Sequence, residues 1–230
     1  MSEIKERPIL FSAPMVRAIL EGRKTVTRRV VKPWQIPKLQ EDGDWFAVAQ
    51  RHPRWGFGVS GATAEACAYE LATSGCCPYG RKGDRLWVRE STEADYDTHD
   101  AVTLSRYCAD KAPVLIADCA DPAFNGSVAH WNYPRDVRPS IHMKREQARI
   151  LLEITAARVE RLQDISGDQA EAEGVDAAMC RQFLETSPSR FECKEAVIHG
   201  FAGLWASING NASWHANPWV WVVEFKRVTP

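Results

Sequence analysis

The sequence predicts an α+β fold: a mixed β-barrel with flanking helices and two large loop insertions. Three observations predict it. A short amphipathic stretch near the start ends at Gly22 and leads straight into residues 25–31, which are rich in β-branched side chains. A long strand-like run at 149–159 precedes a helix whose start is visible at Ser166. The segment 219–225 is almost continuously apolar, as expected of a strand with neighbours on both sides.

The first helix has Ser12 as a good N-cap and Pro14 in its first turn. Met15, Val16, Ile19 and Leu20 follow at helical spacing before Gly22 ends it. Residues 32–80 break the pattern, with Pro33, Pro37 and Pro53, five glycines between 43 and 75, and Trp34, Trp45 and Trp55. They read as a looped insertion pinned by aromatics. Order returns at Gly83-Asp84, a turn before a strand with Leu86 and Val88 on one face. Residues 94–135 form a second insertion with little periodicity. Ser166 followed by Gln169 is a capping-box pattern for a helix ending at Gly174, and a further helix is expected from about Lys194 to Ser207. Without repeats or a low-complexity linker, the reading is one domain over 1–230, with insertions at about 32–80 and 94–135.

Composition narrows the function classes. The 230 residues are 26% charged and 45% apolar, ordinary for a soluble globular chain. No apolar run approaches the ~20 residues that span a bilayer, and residues 1–7 lack a signal-peptide core, so a cytoplasmic protein without membrane association is expected. Seven irregularly spaced cysteines argue for reduced thiols. A net charge of −1 gives no global case for coating a nucleic-acid duplex. The charge is segregated, however: residues 17–32 carry +5 and residues 160–176 carry −5. The two segments are either neighbouring solvated faces or the walls of a cleft suited to a small polar ligand.

The chemistry concentrates at the corner after the first helix, Gly22-Arg23-Lys24-Thr25-Val26-Thr27-Arg28-Arg29. One lysine, two hydroxyls and three arginines gather proton carriers and anion-binding groups where no core position is spent. Lys24 and Thr27 have opposite parity, so a regular strand would point them apart and a shared site needs a bend. Local causes also explain the residue types, since lysine complements a helix C-terminus and threonine favours a strand.

In order along the chain, this corner, the Gly83-Asp84 turn, the long strand at 149–159, the acidic helix ending Ala172-Glu173-Gly174 and the final Val-Glu-Phe strand resemble the ASCH domain family, of PUA-like fold. The longer strings, residues 83–90, 138–143 and 217–225, are similar to its phage and prophage branch. The landmarks cover about half the chain. Small members of the family hydrolyse the amide of N4-acetylcytidine, and others bind or cleave RNA. The resemblance implies Lys24, Thr27 and Glu173 as catalytic residues, with no cofactor and no metal. The partner it implies is a nucleoside or a nucleic acid.

In such a reaction Thr27 supplies a hydroxyl or positions water, and Glu173 reads the cytosine amine edge. Lys24 acts either as a base with a strongly lowered pKa or as a permanent cation holding the oxyanion. Arg23, Arg28 and Arg29 are candidate binding groups. Trp87 and Arg89 share a strand face on which a base can stack, with Glu90 beside them; equally, Arg89 and Glu90 form an exposed ion pair. Cys67, Cys76 and Cys77 with His52 or His99 invite a zinc reading, but adjacent cysteines rarely ligate one tetrahedral ion. His142 reads as a core histidine, and Trp219 and Trp221 as packing residues. A non-catalytic RNA or single-stranded DNA-binding module and a ribonuclease are the alternatives to the hydrolase.

Overall fold

Neighbouring segments pair locally into small antiparallel sheets, while distant ones assemble a larger mixed sheet. The computed structural model describes residues 3–52, 54–116, 128–175 and 193–228. The end of the acidic segment, Asp176, and part of the second insertion, 117–127, lie outside the described residues. The chain divides into two compact units, residues 1–22, 85–153 and 227–230 forming one and residues 23–84 and 154–226 the other.

The first unit begins with β1 (Glu6–Leu10) and α1 (Ala13–Leu20). Parallel to β1 runs β6 (Arg85–Arg89), and antiparallel to β6 runs the start of β10 (Leu151–Arg161). Ile9, Leu86, Val88 and Leu152 are among its buried apolar positions, and burial of Leu86 and Val88 matches the alternation read for the 86–88 strand. The second insertion is not structureless. It contributes β7 (Thr92–Asp95) and β8 (Leu104–Tyr107), which form a three-stranded antiparallel sheet with β9 (Val137–Arg138). A core of Tyr107, Val114, Ala129 and Met143 packs nearby.

In the second unit β10 continues beside β11 (Trp219–Val228), and β2 (Val26–Val30) pairs antiparallel on the other side of β11. The run Val220 to Val223 is fully buried, consistent with a strand flanked on both sides. Between β2 and the next strand of this sheet lies the first insertion: β3 (Lys38–Leu39), β4 (Trp45–Arg51), β5 (Gly56–Gly61) and α2 (Ala64–Thr73). These strands make their own antiparallel sheet, on which α2 packs. The helices α3 (Gly167–Ala172) and α4 (Cys193–Asn209) cover an apolar core of Val26, Leu162, Ile165, Ala170, Phe201, Trp205, Val220 and Val222.

Three expectations are corrected. No sheet closes into a barrel among the described residues, because the insertion strands pair with their sequence neighbours, where loop-closure entropy is low. The aromatics of residues 32–80 do not pin a loop: Trp34 and Trp55 are 37% and 54% exposed on a regular sheet or its turn. His142 is not in a core strand; it sits exposed in a 3-10 turn, Ser140–His142, its ring 5.9 Å from that of Tyr133 and tilted by 35°. No helix among the described residues is long and apolar enough to cross a membrane.

Candidate functional site

Two glycines shape the candidate site. Gly22 at φ 77° turns the chain out of α1, and Gly174 at φ 88° ends α3, in the left-handed region that L side chains avoid. At the start of α3, Ser166 Oγ accepts from the Gln169 amide at 3.3 Å, while Gln169 Oε1 accepts from the Ser166 amide at 3.3 Å. That reciprocal cap fixes the helix start read from the sequence. One and a half turns later it delivers Glu173 to the corner.

There the basic and acidic segments meet. Lys24 Nζ donates to Glu173 Oε2 at 2.7 Å, to the Glu173 carbonyl at 2.8 Å and to the Val26 carbonyl at 2.8 Å. Both residues are buried, Lys24 at 3% exposure and Glu173 at 4%. Burial pushes the Lys24 ammonium below its ordinary pKa; the Glu173 carboxylate pushes it back up, and Arg29 and Arg28 add to the lowering.

Arg28 extends the contact. Its Nη2 donates to Glu160 Oε1 at 2.6 Å and to Gln169 Oε1 at 2.8 Å, and its Nη1 to Glu173 Oε1 at 3.4 Å. Its guanidinium lies 5.9 Å from the Phe201 ring centre, and its Nε is buried without a partner among the described residues. Arg158 Nε then donates to the second oxygen of Glu160 at 2.7 Å, and its Nη1 pairs with Glu224. The result is a continuous alternation, Lys24, Glu173, Arg28, Glu160, Arg158, Glu224, in which every charge has an opposite neighbour.

Strand parity decides who joins it. Val26 pairs with Glu224 and Arg28 with Val222, so those four share the face toward α3, while Thr27 and Arg29 pair with Val223 and Trp221 on the other. Thr27 is buried at 3% exposure on that opposite face. The structure therefore brings Lys24, Arg28 and Glu173 together and leaves Thr27 behind the strand. Arg23 is exposed and donates to the Gly174 carbonyl at 3.2 Å, while Arg29 is half-buried.

A cleft of about 330 Å³ opens beside the pair. Thr25, Thr155, Asp168, Gln169 and Glu224 offer it polar groups, and Val26, Ala172 and Phe225 offer apolar ones. Its wall is the backbone bridge from the Thr25 amide to the Ala172 carbonyl, 2.9 Å, so Lys24 and Glu173 stand one residue behind the surface. The sequence reading missed Thr25, Thr155 and Glu224 here. Asp168 lay inside the acidic segment already singled out, but nothing in the letters tied Arg158 to Glu224.

The candidates Trp87, Arg89 and Glu90 belong to the first unit. The Arg89 guanidinium lies 5.2 Å from the Trp87 ring centre and is held by the carbonyls of Ile141 and Met143, which anchors the 140–143 turn. Glu90 does not form an exposed pair with Arg89: it is 1% exposed and takes a two-point contact from Arg149 at 3.0 and 2.8 Å. The reason is alternation, which turns Glu90 inward where Arg89 turns out. Cys67 and Cys77 are buried and in no disulfide, and no cluster of three or more His, Cys, Asp or Glu side chains could hold a metal ion among the described residues. Comparison with protein-family models, with curated proteins and with solved structures finds no match for this chain.

Proposed function

We propose that this chain is a hydrolase of a modified pyrimidine nucleoside, cleaving the amide of an N4-acylated cytosine in the manner of the ASCH domains of PUA-like fold that its sequence resembles. One observation carries the reading: a desolvated lysine–glutamate pair is next in sequence to Thr25 and Ala172, which line a cleft of about 330 Å³ with mixed polar and apolar walls, within the size range of small-molecule sites. The cleft edges supply what a cytosine needs, with Gln169 and Asp168 for its donor and acceptor atoms and Phe225 and Val26 for its ring.

Chemistry requires the backbone bridge from Thr25 to Ala172 to open and the pair to part. As the acyl carbonyl enters, the Lys24 ammonium exchanges Glu173 for the oxygen on which negative charge develops. The released carboxylate takes a proton from water as the water oxygen bonds to the carbonyl carbon. It returns that proton to N4 as the carbon–nitrogen bond breaks, leaving the free amine and a carboxylic acid. Arg28 and Gln169 hold Glu173 and the start of α3 in register throughout.

The test is release of cytidine from N4-acetylcytidine, with Glu173→Gln expected to lower the rate by a factor of about 100 or more. No release by the wild type, or an unchanged rate in Glu173→Gln, removes the proposal. A second reading is favoured by the three acceptors around Lys24 Nζ, which satisfy all three ammonium protons. In that reading the pair is a structural pin and the cleft binds without chemistry. Calorimetric binding of cytidine without any turnover selects it.

A further inference from the structure

The first insertion's sheet carries α2 on one side and shows aromatic rings on the other. Ala47 and Ala49 are buried, whereas Phe46, on the opposite face, is 40% exposed. The Phe46 ring lies directly over Gly58: a Cβ there would come within 2.0 Å of it, so only glycine leaves the ring this seat. Lys38 pairs with Phe46 across β3 and β4. The irregularity between Val48 and Gln50 returns Arg51, opposite Gly56, to the same face. Trp34 borders it, its carbonyl accepting from the Val48 amide at 3.0 Å. Lys32 Nζ and the Arg51 guanidinium lie 5.5 and 5.9 Å from the Trp34 ring centre.

None of Lys32, Lys38 and Arg51 has a carboxylate partner among the described residues, in contrast to Lys24, Arg28, Arg106, Arg149 and Arg158. The nearby acids Glu41, Asp42 and Asp44 are confined to the turn between β3 and β4. We propose that this face binds single-stranded RNA, with Trp34 and Phe46 stacking bases and the three cations taking backbone phosphates. Solvent-exposed rings on an antiparallel sheet flanked by unpaired cations are what unstacked bases on a polyanion require. A protein partner fits less well, because lysine is depleted from the cores of protein interfaces. A second copy of the chain would set these cations against themselves. The choice of RNA over DNA rests on the ribonucleoside substrate proposed above; the stacking and charge argument does not.

Fluorescence anisotropy of the full chain tests it, using a labelled single strand of about 12 nucleotides as RNA, the same sequence as DNA, and an RNA duplex, from about 50 to 300 mM salt. The RNA strand should bind most tightly. Trp34→Ala and Phe46→Ala should each weaken it about tenfold, with melting temperatures near the wild type. Arg51→Gln should lower the slope of log affinity against log salt by about 0.7. Absent RNA binding, or affinity unchanged in both aromatic variants, overturns the site. Equal or tighter DNA or duplex binding overturns the RNA assignment. Hydrolysis of free N4-acetylcytidine, read on the same variants, should stay at the wild-type rate, so a failure of either proposal shows by itself.

Discussion

Lys24 sits at 3% exposure, and loss of hydration is the largest influence on its ammonium group. Its folded pKa is therefore below the 10.5 of a free lysine, even with Glu173 at 2.7 Å. The sign follows: between the two values the unfolded chain holds more protons, so stability rises with pH across that interval and levels off above 10.5. Lys24→Met should abolish this rise in denaturant titrations run at several alkaline pH values. At neutral pH, Glu173→Leu should cost about 3–5 kcal/mol, because it strands the buried Lys24 ammonium, Lys24→Met should cost less, because Arg28 still faces the Glu173 carboxylate at 3.4 Å, and the double variant should cost less than the sum of the two. Additive losses would show that the pair is not coupled. The candidacy of Lys24 was legible in the dense corner, whereas that of Glu173 rested on the family resemblance alone, since an acid just before a helix-ending glycine reads as a solvated surface group. The resemblance grouped Thr27 with them, and the structure separates it: parity points it to the other face, and the bend at Gly22 does not undo that because it precedes both Lys24 and Thr27.

Among the elements, α3 is the one on which the site turns. It has six residues, too few for independent stability, so its cap and its packing carry it. Ser166→Ala removes the acceptor for the Gln169 amide and should destabilise the chain by about 1 kcal/mol. The same change loosens Gln169, whose side chain also receives Arg28 Nη2, so cytidine binding should weaken with it. A calorimetric titration that finds affinity unchanged despite the stability loss would detach the cap from the cleft. This helix could be read in advance because a capping box is a local pattern spanning four residues. The short strands in and beside the two insertions could not: β3 and β9 have two residues each, below any detectable alternation, and β5 is half glycine.

For the whole molecule, acid is the revealing variable. The Thr98 hydroxyl, donating to Asp95, holds that carboxyl below its ordinary value. Burial raises Glu93 and Asp110, but contacts from Lys111 and Arg106 on the first and from Arg149 on the second outweigh it and leave both lowered. Such depressed groups stabilise the fold above their unfolded pKa values and lose that contribution as pH falls through the folded ones. Glu90, raised by burial against the pull of Arg149, has the opposite sign and stabilises most at low pH. Three against one, urea midpoints should fall steadily below about pH 4, and Arg106→Gln should flatten the fall. A midpoint independent of pH in that range would mean these contacts contribute nothing net. By itself the sequence determined the α+β class, the approximate bounds of α1 and α3, the buried final strand and the segregation of basic from acidic charge, because each is written in short-range periodicity, capping or charge. Tertiary structure alone decided that the sheets stay open, that Lys24 and Glu173 close on each other, that Arg28, Glu160, Arg158 and Glu224 join them, and that Trp34 and Phe46 face water. Those outcomes depend on strand pairing and side-chain burial between residues far apart in the chain, where no local pattern reaches.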